Sequence, residues 1–220
     1  MTSLSLDNEG ITGTLPPILA GLTELTSLSV WNNFFDGNLS FISSLTALTY
    51  LDLNGNLFSG PIDFISGLTL LNFLDLGENT FDGGIAAVSG LTNLRTFYIE
   101  NTFLEGSIDP VLSLTRLTTL DLSYNSMNCS FDGFSALLSL TSLKARYANC
   151  TGTLEGLRPL VGLRTLWIES NSLSGNFEPL APLIMMTSLD ISDNRFQGLD
   201  TMLILLFLSL SCTTSLMQTV

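Results

Sequence analysis

Apolar residues return along this chain at a fixed interval, and that interval sets its organisation. A register beginning at Met1, Leu25, Leu48, Leu71, Leu94, Leu117, Leu140, Leu163 and Met186 divides residues 1–200 into nine units, the first of 24 residues and the next seven of 23. Positions 1, 4 and 6 of a unit are apolar, as in Leu48, Leu51 and Leu53. Position 9 is Asn in six units, and position 11 is apolar or Cys. Position 13 is Gly in every unit but one, where Cys129 stands, and Leu recurs at position 21 of the 23-residue units.

Each recurring residue has a physical consequence. Alternation at positions 4 and 6 predicts a short strand with one inward face. Asn at position 9 can bond the main chain of the turn leaving that strand. Gly at position 13 permits a bend where a side chain would be strained. Leu at position 21 closes the core from the far side. One unit cannot bury its own apolar edge, so the units must stack into a parallel sheet and a solenoid.

The pattern LxxLxLxxNxLxGxI resembles leucine-rich repeats, and its Gly-x-Ile/Leu segment looks like the plant-type class. Receptor-kinase ectodomains, polygalacturonase inhibitors and some protist surface antigens carry that class. The opening unit matches best, with Gly13-Thr14-Leu15-Pro16; later units mostly lack the Pro. The resemblance implies an α/β repeat solenoid shaped as a horseshoe or arc. It implies a parallel sheet on the concave face, turns or short helical segments on the convex side, and protein or ligand recognition on the sheet.

Positions 3, 5, 7 and 8 flank the inward residues and are expected to face solvent on the sheet. Both Trp (Trp31, Trp167) and all four Tyr (Tyr50, Tyr98, Tyr124, Tyr147) fall there, with one Phe, Phe73. Among them stand Asp52, Asp75, Glu100, Asp121 and Glu169, and a basic island of Lys144 and Arg146. The functional reading is a recognition stripe for a protein, peptide or glycan, since Tyr and Trp give large contact area at low entropy cost. The plainer reading is that strands favour aromatics and that their polar tips avoid the core.

Charge narrows the partners. Twenty acids against seven bases give −13, which argues against nucleic acid and anionic membrane surfaces. The chain has no histidine, which removes the commonest general base and metal ligand. No Walker loop, zinc spacing, nucleophile elbow or dinucleotide fingerprint occurs, so no cofactor, metal or catalysis is expected. The acids read as solvated on an open sheet, an unsuitable setting for glycoside hydrolysis. No secretory signal is visible, and the longest apolar run, Met202–Leu208 with Leu210 beyond, is short of the ~20 residues that span a bilayer.

Three N-glycosylation sequons begin at Asn38, Asn128 and Asn149, outside the expected strands. Cys129 and Cys150 lie in adjacent units at positions 13 and 11; a bridge is conceivable, with two buried free thiols the favoured reading. The chain enters the repeat at its first residue, as a gene fragment or a misplaced start would. Residues 201–220 read as an apolar cap over the last unit followed by a mobile tail. The sequence thus points to a monomeric, non-catalytic recognition module, secreted or on the cell surface. The alternative is a cytoplasmic protein-interaction scaffold.

Overall fold

The computed structural model describes residues 1–197 and the strand Thr213–Thr214. The expected apolar cap at Met202–Leu210 lies outside the described residues. Every unit contributes one three-residue strand at positions 3–5, beginning with Ser3–Ser5 and Ser27–Ser29 and ending with Ser188–Asp190. Thr213–Thr214 pairs beyond the last of these, giving a parallel sheet of ten strands in sequence order. Its register has no stagger: Leu28 pairs with Leu51, Leu51 with Leu74, Leu74 with Phe97 and Phe97 with Leu120. Position 4 therefore forms one inward column, fully buried from Leu28 to Leu166.

A second set of strands follows at positions 10–13, which the sequence reading treats only as a turn. Thr12–Thr14, Phe34–Gly37, Leu57–Pro61, Thr80–Gly83 and Phe103–Leu104 form one parallel sheet. Cys129–Ser130, Cys150–Gly152, Ser172–Gly175 and Arg195–Phe196 form another. Between the two sheets runs a single bridge, Ser107 to Asn128. Here the register is staggered by two residues, so position 13 of one unit faces position 11 of the next. Gly13 pairs with Phe35, Gly37 with Phe58, Gly60 with Phe81 and Gly152 with Leu173. The glycines at position 13 in the described units have positive φ, between 78° and 91°. A side chain in that conformation would be strained.

The stagger brings Cys129 opposite Cys150, with Cα atoms 4.3 Å apart and the sulfurs joined in a disulfide. This corrects the expectation of two free thiols. Positions 13 and 11 do not meet if units are aligned without stagger, whereas the outer sheet shifts them into one pair. Cys129 is also free of the positive φ that its glycine counterparts adopt.

The return path of each unit is a short 3₁₀ turn, such as Ser40–Ser44, Ala86–Gly90 or Asp132–Ala136, and it ends at the position-21 leucine. Leu45, Leu68, Leu91, Leu114, Leu137 and Leu160 are fully buried and close the core from that side. A phenylalanine stack, Phe35–Phe58–Phe81, fills the space under the outer sheet with centroid spacings of 6.2 and 6.4 Å.

Asparagine at position 9 ties the units together. Asn56 Nδ2 donates to the carbonyls of Leu53 and Asn54 in its own unit and of Val30 in the unit before, and its Oδ1 accepts from Phe35 N. Asn33, Asn79, Asn125, Asn171 and Asn194 repeat the pattern. Three units depart from it, the first of them with Glu9 at this position. Thr102 bonds its own unit and Asn125, and Ala148 has no polar side chain to offer. The Cys129–Cys150 bridge crosses the seam that Ala148 leaves without a rung.

Just before this rung, every position-8 residue is left-handed, with Asn8, Asn32, Gly55, Glu78, Asn101, Tyr124, Tyr147, Ser170 and Asp193 all at φ between 47° and 64°. Their amides extend the ladder past the strand, as in Tyr124 N to Arg146 O at 2.7 Å and Glu78 N to Glu100 O at 2.9 Å.

Candidate functional site

The open face of the main sheet is built from three columns. Position 3 supplies Tyr50 and Phe73, and position 5 supplies Asp52, Asp75, Tyr98, Asp121, Lys144 and Trp167. Position 7, just past the strand, supplies Trp31, Glu100, Arg146 and Glu169. Tyr124 and Tyr147 stand at position 8, on the rim.

Tyr50, Phe73 and Tyr98 form a continuous aromatic shelf. Tyr50 stacks on Phe73 at 4.3 Å, and Tyr98 meets the Phe73 ring edge-on at 5.9 Å. All three are half-buried rather than open. The Tyr50 hydroxyl donates to Asp52 Oδ2 at 3.2 Å; burial first, and then Asp52, push its pKa up to about 12. Burial also raises Tyr98.

The carboxylates correct the expectation of solvated acids, for Asp52, Asp75 and Asp121 are buried. Each uses Oδ1 to accept the amide two residues on, from Asn54, Gly77 and Ser123 respectively. That local bond closes the end of the strand and holds the carboxyl against the sheet. Burial raises Asp52 above its ordinary value.

Asp75 and Glu100 are joined through one amide. Asn54 Nδ2 donates to Asp75 Oδ1 at 3.2 Å and to Glu100 Oε1 at 3.3 Å. The Glu100 carboxyl fills the space above Gly77, where an added Cβ would lie 2.6 Å from Glu100 Cδ. Burial, and for Asp75 the nearby Glu100, push both carboxyls up to about 7. Glu100 Oε2 is buried without a hydrogen-bond partner. Lys144, whose charge opposes the rise at Glu100, is paired with Asp121 at 3.4 Å.

The basic island is engaged internally. Arg146 lies over the Trp167 ring with Cζ 4.0 Å from its centroid, and Lys144 Nζ lies 5.0 Å from the same centroid. Arg146 Nε sits 2.8 Å from Glu169 Oε1, an ion pair without the directed geometry of a hydrogen bond. Burial raises Glu169, while Arg146 opposes the shift. Trp167 Nε1 donates to Ser188 Oγ at 2.8 Å. The sequence sets Trp167 on an open stripe, whereas two cations lie across it; their charge and the ring face attract one another.

Trp31, Tyr124 and Tyr147 stand free, with 41%, 50% and 54% of their surface exposed. The two tyrosine rings are stacked at 5.2 Å and 12°. Both hold a left-handed backbone, a conformation that costs a bulky residue roughly 1–2 kcal/mol.

Sequence reasoning missed Asn54 and Gly77, because their roles appear only when neighbouring strands are aligned. It also missed Phe34, Leu57 and Phe103, which are exposed at position 10 of the outer sheet. Their recurrence at one position was the available signal. The three sequon asparagines, Asn38, Asn128 and Asn149, are exposed.

A Leucine Rich Repeat family model matches residues 47–68. Among solved structures, the chain is similar to a TDR receptor at 28% identity and a TM-score of 0.80, covering 84% of this chain and 33% of that one. The chain folds as a leucine-rich-repeat solenoid. The leucine-rich-repeat ectodomain of the Arabidopsis receptor kinase HAESA, in complex with an IDA peptide hormone ligand, is 27% identical at a TM-score of 0.82. It covers 89% of this leucine-rich-repeat chain and 34% of its own. Internalin C2 from Listeria monocytogenes is 27% identical at a TM-score of 0.71, covering 89% and 80%. The chain thus spans about a third of the length of the first two. A search of the curated proteins finds no match. No helix among the described residues is long and apolar enough to cross a membrane.

Proposed function

We propose that residues 1–200 form one recognition domain of nine units, acting as a monomer at the cell surface or after secretion. Its ligand is a protein or peptide segment bearing a basic residue, docked on the open face of the main sheet. The observation that carries this reading is the Asp75–Glu100 pair beside the Tyr50–Phe73–Tyr98 shelf. A lysine or arginine laid there would meet two carboxyls and two ring faces, and it would supply the positive charge that the pair lacks among the described residues. The arrangement of Arg146 between Trp167 and Glu169 is the same combination made within the chain. The HAESA complex with a peptide hormone supports a peptide ligand by likeness.

The Cys129–Cys150 bridge supports an oxidising compartment, since structural disulfides persist outside the cytosol. It weighs against the cytoplasmic scaffold. Catalysis has little support: a carboxyl pair working on a glycoside needs two different environments, and burial is the leading cause that raises both Asp75 and Glu100. A glycan ligand remains the second choice, favoured by the exposed rings of Trp31, Tyr124 and Tyr147.

The test is to pan a displayed peptide library against the chain and measure the recovered peptides against D75N/E100Q and Trp31→Ser. Recovered peptides rich in Lys and Arg, losing at least tenfold in affinity on D75N/E100Q, are expected. Peptides without basic residues, or affinities unmoved by both variants, would overturn the reading.

A further inference from the structure

The bridge and two of the sequons occupy the same six residues. Asn128-Cys129-Ser130 and Asn149-Cys150-Thr151 each carry a bridged cysteine as their middle residue. The pairing of Cys129 with Cys150 and of Ser130 with Thr151 puts the two asparagines on neighbouring chains of the outer sheet. The cysteines are buried and both asparagines are exposed. Neither asparagine side chain makes a hydrogen bond to the described residues.

We propose that this seam is a single N-glycan attachment site: Asn128 carries the glycan, and closure of the Cys129–Cys150 bridge withholds Asn149. The proposal rests on the secretory reading above. In the transfer, the Asn128 amide nitrogen attacks the anomeric carbon of a lipid-linked oligosaccharide. A C–N bond forms, the C–O bond to the lipid diphosphate breaks, the diphosphate leaves with the electron pair, and the amide gives up one proton. In closure, the two thiols give two electrons and two protons to the disulfide of an oxidoreductase, which is reduced.

The order of synthesis separates the two asparagines. An acceptor tripeptide must leave the sheet to enter an enzyme's active site, and one cross-linked through its middle residue cannot. Cys150 follows Cys129 by 21 residues, an interval of roughly 1–4 s at about 5–20 residues per second. Through that interval Asn128 is presented with Cys129 unable to form this bridge. When Asn149 emerges, Cys150 arrives with its partner already waiting. Bulk adds to the bias, because a glycan already on Asn128 stands one strand spacing, about 4.8 Å, from Asn149.

The experiment directs the full chain into the secretory pathway of cultured eukaryotic cells behind a cleavable signal peptide. The compartment is thereby imposed, so a failure here is distinct from a failure of the surface reading, which the native protein's location tests. Occupancy at Asn38, Asn128 and Asn149 is read by peptide mass spectrometry after enzymatic deglycosylation in heavy-oxygen water. Asn38, whose sequon lacks cysteine, reports that the chain met the transferase. Most chains are expected to carry the glycan at Asn128 and few at Asn149. Dithiothreitol during synthesis, or Cys129→Ser, which keeps the first sequon as Asn-Ser-Ser, is expected to raise Asn149 occupancy at least threefold. Equal occupancy of the two sites in untreated cells, no rise under reductant, or a bare Asn128 would each overturn the proposal.

Discussion

Cys129 stands opposite Cys150 at the seam where Ala148 interrupts the asparagine ladder. The two cysteines replace the glycine and the apolar residue that face each other at the other staggered pairs, and their bond crosses a join that lacks a side-chain rung. The magnitudes are of the same order. A lost rung removes about four hydrogen bonds like those of Asn56, at about 1 kcal/mol each, and closing a loop of this length contributes about 3 kcal/mol.

Removing the bridge in C129A/C150A is therefore expected to lower the midpoint of thermal unfolding by about 6–12 °C. Hydrogen exchange should quicken first between residues 127 and 150. Adding Ala148→Asn to that variant restores the rung and should recover about 1–3 kcal/mol. An unchanged midpoint in the double variant would show that the seam holds without its bond.

Acidity should stabilise this protein over part of its range. Asp75 and Glu100 rise from 3.8 and 4.5 to about 7, so between about pH 4 and 7 the folded chain binds more protons than the unfolded one. Stability then falls as pH rises through that window, by on the order of 2 kcal/mol after allowance for solvent screening. Urea unfolding at pH 5 and pH 8 measures the difference, and D75N/E100Q should abolish most of it.

Gly77 leaves room for Glu100. A methyl group there meets the Glu100 carboxyl, the far end of a flexible side chain, so Gly77→Ala should push that carboxyl aside and destabilise by at most about 1 kcal/mol. Glu100→Ala in the same chain should relieve most of that loss. Additive effects of the two substitutions, measured in a double-mutant cycle, would mean that the two residues do not share the space.

Tyr124 and Tyr147 hold two strained backbones and gain one ring stack. Two left-handed bulky residues cost roughly 2–4 kcal/mol together, and one stacked pair returns about 0.5–1.5 kcal/mol. Replacing both with Asn, which tolerates this conformation, is expected to raise stability by about 1 kcal/mol. Affinity for any ligand that uses the rim should fall in the same variant. A loss of stability would mean that the stack outweighs the strain.

Much of this could be read from the sequence, and what escaped shares one cause. The inward leucines, Asn at position 9 and Leu at position 21 act within a unit or on the same position of the next. A residue's position is then enough, and Leu51, Asn56 and Leu68 stand where the pattern puts them. Asn54 with Asp75 and Glu100, and Arg146 with Trp167, depend instead on side chains reaching diagonally across the main sheet, and Cys129 with Cys150 depends on the offset between units in the outer sheet. No count along one chain reveals a two-residue stagger. The acids at position 5 were misjudged for a related reason. Their bonds to the amides two residues on hold Asp52, Asp75 and Asp121 down against the sheet rather than out in water.

The left-handed column at position 8 restricts what the rim can say. None of its nine occupants is branched at the β-carbon, the class that this backbone tolerates least. Valine, isoleucine and threonine are in effect missing letters there, while the strand positions beside it welcome them. Anyone re-targeting this surface should vary position 3 first, keep the strand-closing aspartates of position 5, and draw the rim from a shorter alphabet of glycine, asparagine, aspartate and the occasional aromatic.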